Sequence, residues 1–548
     1  MTDISDTEIS ELVTNAFVRG GVPISKLMIR RFPGETIVVV EVTEADFNAG
    51  LSVATSLDKE LSNGFVTVKR IQQESAPIAP TRASSLLDPR VNDLIEVLNA
   101  RSRTSEQQPS LSYIRDVTQT LNVATSRRHH LIFGRRGVGK TALMLETKRI
   151  VEGRGSVTVW INIQTIRNLS ACDAFLTTAA RICDIPALVH AGRPVKPLSV
   201  EKASNIQKRI LALLDAGAGK TQVDRLIPEI HQFVRLFGQE SQADLYLFLD
   251  DIHYMAMKEQ PSYLDMVHSI TRDNAVWIKA AGIKHQSRWF MDDPPTGLQT
   301  GHDAAIVNLD VTLEQPAKAK KFLSDILKTY TDEVKLGSVL GTISPEAFDR
   351  LVLASGGVPR DFLVLSATAI QVARQRAKAK TAGVQDVNEA AGQNAQTKLQ
   401  ELEDDAASSQ ERAESKVQAL NTLREFLLTE RQVTYFRIDF QDKEAHPKQY
   451  ELMQSLMDLR LIHLINAGLS DEREAGRRSE VYMLDLSQFS GTRFRRNLKV
   501  LDFTKQFLVL KDTGGAGPAR TGETPKKLLS ILRRGPLFEL LQLTGSRV

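Results

Sequence analysis

Cysteine and long apolar runs are scarce in this chain, and each scarcity excludes a class of protein. The 548 residues include only two cysteines, Cys172 and Cys183, with no accompanying cluster of histidines, so the sequence predicts neither a disulfide framework nor a zinc site. We interpret both as small buried hydrophobic side chains. No run of about 18 apolar residues occurs, and the N-terminal MTDISDTEISEL is acidic where a signal peptide would be basic. We therefore expect a cytoplasmic protein without a membrane contact.

An excess of charge of one sign is also missing from most of the chain. The formal net charge is +4, yet residues 491–548 hold 12 Lys and Arg against 4 Asp and Glu. The basic character is therefore concentrated at the C-terminus. Hydrophobic residues make up 42% of the sequence, which is ample for packed cores, and a chain of 548 residues is too long for a single core.

Short apolar runs alternate with amphipathic helical stretches in the middle of the chain. The runs are HLIF, VTVWINI, LYLFLD, VWIKAAG and AAIVNL. Strands separated by helices imply a parallel sheet that is covered on both faces. The sequence therefore predicts an α/β fold for this region.

Changes of composition divide the chain into seven segments. Pro- and Ser-rich QQESAPIAPTRASS marks the first linker, and the polar AQTKLQELEDDAASSQERAESK predicts a solvated connector. The predicted segments are a small α+β interaction domain (1–71), a linker and helix (72–110), an α/β core (111–312), a helical segment (313–394), the charged connector (395–416), a domain of helices and a hairpin (417–490) and a basic tail (491–548).

Two Gly-Lys-Thr triplets occur, and only the first has the surroundings of a phosphate-binding loop. GRRGVGKT, residues 134–141, has the full G-x-x-x-x-G-K-T spacing, follows an apolar strand and precedes the helix TALMLETKRIV. DAGAGKTQ, residues 215–222, has Leu214 where the first glycine would stand, and a helical stretch precedes it. We interpret Gly217 and Gly219 as a helix end and a turn.

The first triplet predicts an ATP site with magnesium. Glycines let the backbone bend around phosphates, and the N–H groups at the helix start face the anion. Lys140 would reach the terminal phosphates and Thr141 would bind Mg²⁺. The predicted nucleotide contacts are Gly134, Arg135, Arg136, Gly137, Val138, Gly139, Lys140, Thr141 and Ala142.

A phosphate loop needs acidic and basic partners from neighbouring elements. The apolar strand LYLFLDD ends in Asp250, a predicted magnesium ligand, and Asp251, a predicted general base. The next strand runs into Lys284 and His285, either of which would sit between Asp251 and the γ-phosphate. After a Gly-Gly hinge and a proline, Arg360 begins a helix from which it would reach back to the γ-phosphate.

These motifs together resemble the AAA+ ATPases, and most of all the clade of the origin-recognition replication initiators and the STAND signalling ATPases. FGRRGVGKTAL, LYLFLDDIHY, VNLDVTLEQPAKAKKFL, SGGVPRDFL and AGVQDVNEAA stand in the family's order over about residues 111–393. The resemblance implies a P-loop NTPase sheet with a helical lid, catalysis by Lys140 and Asp251, and a sensor-2 role for Arg360. It also implies an adenine contact near Tyr113–Arg115.

Two family features have no clear counterpart. The usual first-sensor Asn or Thr is not evident, and the arginine finger that acts in trans cannot be located, although Arg272 and Arg288 are candidates.

Residues 417–487 resemble a winged-helix domain, which follows the lid in replication initiators. The stretch HPKQYELMQSLMDLRLIHLI would contain the recognition helix, with Lys448, Gln449 and Tyr450 on its first turn. Arg477 and Arg478 would lie at the wing tip. The charges relevant to DNA are the basic Arg493, Arg495, Arg496 and Lys499, which would attract phosphate, and the acidic Asp471, Glu472, Glu474 and Glu480, which would repel it.

Two functions follow from this pattern. In the first, ATP binding and hydrolysis switch a self-associating AAA+ protein that engages DNA and protein partners. In the second, the chain is a STAND-like signalling or antiphage-defence scaffold whose end domains bind proteins.

Overall fold

Two units make up the chain, Met1–Ala79 and Pro80–Val548, and each has a hydrophobic core of its own. The computed structural model describes residues 6–70, except 33–34, 44 and 58–63, and residues 85–544, except 102–119, 186–196, 218, 339–340, 377–378, 407–409, 473, 475, 491–497, 505–506, 513–519 and 522–524. None of the helices described is both long and apolar enough to cross a bilayer.

The first unit is a three-stranded sheet with two helices. In chain order it comprises α1 (Asp6–Arg19), β1 (Lys26–Phe32), β2 (Glu35–Val42), α2 (Phe47–Leu57) and β3 (Gly64–Arg70). The central strand β2 pairs antiparallel with β1 and parallel with β3. Alternate valines of β2 and β3 are buried, because successive strand residues point to opposite faces.

The second unit contains a five-stranded sheet in which every strand pair is parallel. Its elements in chain order are α3 (Pro89–Arg101), α4 (Thr120–Ala124), β4 (His129–Phe133), α5 (Lys140–Gly153), β5 (Val157–Asn162), α6 (Ala171–Cys183), α7 (Pro197–Ala216), α8 (Lys220–Ser241), β6 (Leu245–Asp250), α9 (Gln260–Ser269), β7 (Val276–Gly282), β8 (Phe290–Asp292), β9 (Pro295–Gly297) and β10 (Ala304–Asn308).

The strands of this sheet stand in the order β10-β4-β7-β6-β5. The central strand β6 is buried along its whole length, as a strand covered by helices on both faces must be. Helix α5 follows β4 directly, so the phosphate-loop motif lies at the carboxyl edge of the sheet, where ligands bind in such folds. This sheet confirms the predicted α/β fold with a parallel sheet.

A group of helices follows the sheet: α10 (Pro316–Glu333), α11 (Pro345–Ala354), α12 (Pro359–Arg374) and α13 (Val384–Ala406). Three of them begin with proline in the first turn, a position where its missing N–H costs nothing. Helix α13 continues through the first part of the predicted connector. Lys398 lies in this part and is buried, so the prediction of a solvated segment is wrong at this residue.

The C-terminal region alternates helices and short strands. It comprises α14 (Gln410–Arg424), a π-helical turn (Glu425–Glu430), β11 (Tyr435–Asp439), α15 (Phe440–Ala445), α16 (Pro447–Asp458), β12 (Ile462–Ser470), β13 (Arg478–Leu484), β14 (Lys499–Thr504), β15 (Phe507–Asp512), β16 (Arg520–Thr521) and α17 (Pro525–Arg533). Strands β11, β13 and β12 form one antiparallel sheet. One hydrophobic core joins this region to the preceding helices, with Phe362, Leu420, Phe436 and Leu484 among its members.

Candidate nucleotide site

The loop between β4 and α5 has a backbone that only glycine accommodates at two positions. Gly137 and Gly139 have φ angles of 79° and 102°, in the region that side chains with a Cβ avoid. A Cβ on Gly137 would also lie 2.7 Å from Cβ of Arg360. The loop therefore curves tightly under the start of α12, and its glycines are required by geometry.

Lys140 is the first residue of α5, and its ammonium folds back into the loop. Nζ donates to the carbonyl oxygens of Gly134 at 2.9 Å and Arg135 at 3.2 Å. Burial lowers the pKa of Lys140, while the charges of Asp251 and Asp250 oppose that shift. A buried ammonium that is held by two neutral carbonyls is well suited to exchange them for charged phosphate oxygens.

Thr141 connects the loop to the end of β6. Its Oγ1 donates to Oδ2 of Asp250 at 2.9 Å, while Oδ1 of Asp250 is buried and makes no hydrogen bond to any described residue. Burial raises the pKa of Asp250 to about 7, and the charge of Asp251 adds to this shift. A hydroxyl and a partly unsatisfied carboxyl at this distance fit the oxygen ligands that Mg²⁺ requires.

Asp251 has a backbone conformation that is uncommon for a residue with a side chain. Its φ is 60°, and it starts the 3₁₀ turn Ile252–Tyr254 that follows β6. Burial raises the pKa of this carboxyl, and the positive charges of Lys140, Arg136 and Arg360 oppose the shift. The turn therefore places Asp251 where the charges of Lys140, Arg136 and Arg360 act on it.

Arg360 joins the following helices to the loop. Its backbone N–H donates to the carbonyl of Gly137 at 3.3 Å, so the start of α12 contacts the loop directly. The carboxyl of the next residue, Asp361, is buried and lies 3.1 Å from both Lys398 and Arg460. The site is consequently tied to residues far along the chain.

The other loop residues predicted to contact the nucleotide differ in how far their side chains are buried or already paired. Both the backbone N–H and Nε of Arg135 donate to Asp310, and its side chain is buried, so it braces the loop. Arg136 lies over the ring of Tyr254, 6.0 Å from its centroid. Val138 is buried within the loop, and Ala142 lies in the first turn of α5.

His285 and Lys284 lie in the 3₁₀ turn that follows β7. Nε2 of His285 is 2.7 Å from Oδ2 of Asp458, the last residue of α16. His253, next to the acidic pair, has a buried Nδ1 that lacks a hydrogen bond within the described residues and lies 3.8 Å from Asp251. Sequence reasoning missed both Asp458 and His253, although the position of His253 two residues after Asp251 offered a signal.

The second triplet lies at the N-terminus of α8, within a helical region as the sequence predicts. Gly217 has a φ of 72° directly after α7, and Gly219 caps α8 through the side chain of Gln222. This confirms the helix end and turn. The arginine-finger candidates Arg272 and Arg288 are both exposed.

Some of the residues predicted to contact DNA are exposed in the C-terminal region, whereas others are bonded to neighbouring side chains. Lys448 is exposed on the first turn of α16, but the hydroxyl of Tyr450 donates to Glu480 at 2.9 Å. Arg477 pairs with Asp439 and Glu474. Lys499 is exposed at the start of β14, whereas Arg493, Arg495, Arg496 and Tyr113–Arg115 lie outside the described residues.

The acidic residues of the predicted wing are also paired. Glu472 pairs with Arg533, Glu480 with Lys443, and Asp471 lies 3.9 Å from Arg437. Their charges are therefore largely compensated within the protein, and so is that of Arg477.

The sequence matches no protein-family profile and no curated protein. Among solved structures, the chain is similar to the Aeropyrum pernix ORC1 protein in complex with DNA, with 14% identity, 75% of this chain and 92% of that chain covered, and a TM-score of 0.30. It is similar to the Aeropyrum pernix ORC2 protein with 14% identity, coverages of 70% and 93%, and a TM-score of 0.30. It is also similar to the Thermotoga maritima RuvB Holliday junction branch migration motor, with 12% identity, 50% of this chain and 70% of that chain covered, and a TM-score of 0.26. TM-scores of this size assign no function to the chain.

Proposed function

We propose that this protein is a Mg²⁺-dependent ATPase that works as an ATP-driven switch. The contact between Thr141 and Asp250 carries the proposal, because it brings the phosphate loop and the acidic strand end together around a carboxyl oxygen that lacks a partner among the described residues. In this role Thr141 and Asp250 would hold Mg²⁺, which neutralises phosphate charge when it is bound.

Each further residue has a part that follows from its position. Lys140 would exchange its two carbonyl partners for phosphate oxygens, and the N–H groups of Gly137 to Ala142 would surround the phosphates. Asp251 would orient and deprotonate the attacking water. Its raised pKa makes it a better proton acceptor than an ordinary carboxylate, since the acceptor's pKa then lies nearer to neutral pH.

Arg360 supplies the switch in this proposal. Its backbone already contacts Gly137, and its guanidinium is within electrostatic reach of Asp251, so a γ-phosphate would attract it. Binding and loss of that phosphate would thus change the position of α12 relative to the loop.

The test is nucleotide binding and turnover in three variants. Lys140→Ala should abolish ATP binding, whereas Asp251→Asn should bind ATP and fail to hydrolyse it. Lys220→Ala, in the second triplet, is the matched control and should keep wild-type affinity. Hydrolysis by Asp251→Asn at the wild-type rate would show that another group is the base.

We further propose that the C-terminal region is a winged helix through which the switch engages DNA. Helices and strands follow the order α14, β11, α15, α16, β12 and β13, with α16 in the place of a recognition helix. Exposed Lys448 and Lys499, together with the excess of basic residues over 491–548, support a phosphate-binding surface. ATPase rates with duplex and single-stranded DNA at two salt concentrations test this, since a stimulation by DNA contacts weakens as salt rises.

The pairing within the wing supports the second candidate, a signalling or defence scaffold. Arg477 is already paired and the Tyr450 hydroxyl is bonded, so both would have to leave internal partners to contact a base. In that case the C-terminal region and the first unit would bind proteins, and the chain would self-associate with ATP. An ATPase rate that ignores DNA but rises with protein concentration would favour the scaffold.

A further inference from the structure

The turn after β7 and the end of α16 meet in a buried contact. Nε2 of His285 lies 2.7 Å from Oδ2 of Asp458, with 15% and 4% of the two side chains exposed. Nε2 of Gln286 also donates to the same oxygen, at 3.3 Å. One carboxyl of the C-terminal region is therefore held by two consecutive residues at the carboxyl edge of the parallel sheet.

This contact lies within the electrostatic environment of the nucleotide site. Asp458 is one of four carboxyls whose charge raises the pKa of buried Lys140, along with Asp251, Asp250 and Asp310. The charge of His285 acts on His253, which is itself 3.8 Å from Asp251. The two members of the pair therefore act electrostatically on Lys140 and on His253, the neighbour of Asp251.

The end of α16 is fixed from a second side. Arg460, two residues after Asp458, lies 3.1 Å from Asp361, whose neighbour Arg360 contacts the phosphate loop. Lys398 Nζ lies 3.1 Å from Asp361 and donates to the carbonyl of Arg460 at the same distance. Because these groups are buried and mutually paired, the position of Asp458 is set by packing and not by a mobile side chain.

We propose that Asp458 is a positioning residue for ATP hydrolysis, acting through His285. A carboxylate bonded to one ring nitrogen fixes the orientation of an imidazole and leaves the other nitrogen for a ligand. Here Nε2 faces Asp458, whose carboxylate stabilises the imidazolium, so Nδ1–H is the donor to a γ-phosphate oxygen and His285 fills the first-sensor position. Recognition of that phosphate then requires the C-terminal region to be docked.

This inference rests on the proposed ATPase function, and two readouts keep the two apart. The probes are ADP and ATPγS, an analogue that hydrolyses slowly. Asp458→Asn should leave ADP affinity unchanged and lower ATPγS affinity about tenfold, the loss typical of a hydrogen bond to a charged group. The kcat for ATP should also fall about tenfold, as is common when the partner of a functional histidine is removed.

The matched control is Asp442→Asn. Asp442 lies 3.6 Å from His446 in the same region, so this variant removes a second carboxylate–imidazole contact without touching Asp458. We expect it to keep wild-type affinity for both nucleotides and wild-type kcat.

A double-mutant cycle separates positioning from general damage. His285→Asn should resemble Asp458→Asn, and the double variant should be no worse than His285→Asn alone, because the two residues act as one unit. If the losses of kcat in the two single variants multiplied in the double variant, the inference would be overturned. Equal losses of ADP and ATPγS affinity in Asp458→Asn, or wild-type kcat and affinities in that variant, would also overturn it. If the wild-type protein hydrolysed no ATP, the ATPase assignment would fail, while the ADP and ATPγS affinities would still decide the role of Asp458.

Discussion

Lys398 on α13 lies 3.1 Å from the carboxyl of Asp361 at the start of α12, and both side chains are almost fully buried. The same ammonium is 3.1 Å from Asp485, which follows β13 and also pairs with His463 at 2.7 Å. Burial alone would raise the pKa of Asp485, but the charge of Lys398 and the hydrogen bond from His463 hold it below its ordinary value. Lys398 therefore contacts two buried carboxylates, and Arg460 provides Asp361 with a second cation.

Lys398→Met should destabilise the protein strongly. The substitution keeps most of the length of the side chain, but it removes the cation beside Asp485 and leaves Asp361 with Arg460 alone. Loss of one partner of a buried ion pair costs about 3–5 kcal/mol. Lys148→Met is the control, because Lys148 makes a partly exposed i,i+4 pair with Glu152, with 25% and 43% of the two side chains exposed, and such a pair should contribute no more than about 0.5 kcal/mol. Urea unfolding measures the free energy of unfolding of the two variants. A similar decrease in both would show that Lys398 does not stabilise the protein through its charge.

Parts of the site lie within a few consecutive residues, and these could be predicted from the sequence. The loop of residues 134–141 contains its glycines, lysine and threonine in one recognisable motif. The apolar run of β6 predicts a buried strand, and the acidic pair follows at its end. The parallel sheet was predictable for the same reason, since each strand and each helix shows its own periodicity.

The contacts between distant segments could not be predicted. Asp458 and Lys398 stand in ordinary polar helical patterns, and nothing local distinguishes them from solvated residues. Their partners, His285 and Asp361, come from other elements, so only the tertiary fold reveals the pairing. Tyr450 illustrates the converse, because its position suggested a base contact while its hydroxyl is bonded to Glu480.

Asp250→Asn should stabilise the nucleotide-free protein at pH 8. The pKa of Asp250 is raised to about 7 by burial, so the folded state binds a proton that the unfolded state has already lost. Stability falls as pH rises from about 4 to 7, and the penalty is complete above 7. Removing the charge should recover a few kcal/mol at pH 8 (about 2–4) and almost nothing at pH 4. Thermal unfolding at the two pH values measures this; an equal effect at both would contradict the burial argument.

Gly137→Ala should impair nucleotide binding. The new methyl group would face a φ of 79° and a contact of 2.7 Å with Cβ of Arg360, so the loop and α12 would have to separate. We expect a loss of ATP affinity of about tenfold or more, since backbone strain of this kind costs about 1–3 kcal/mol.

Gly153→Ala provides the control for that variant. Gly153 is the last residue of α5, and a Cβ there meets no atom within 4 Å. Alanine should leave ATP affinity unchanged and stabilise the helix by up to about 1 kcal/mol. Isothermal titration with ATP distinguishes the two variants, and equal affinities would mean that the loop tolerates the methyl group.

Lys448→Ala should weaken DNA binding if α16 enters the groove. Lys448 is exposed on the first turn of α16 and has no ion pair within the described residues, so it is free to neutralise one phosphate. Its removal should lower affinity for every duplex sequence alike and reduce the slope of log affinity against log salt by about one.

Arg477→Ala is the comparison, because Arg477 already pairs with Asp439 and Glu474 and its removal should change the slope less. Fluorescence anisotropy of a labelled duplex over a salt series measures both slopes. A larger change in Arg477→Ala would mean that the wing, and not the first turn of α16, carries the phosphate contacts.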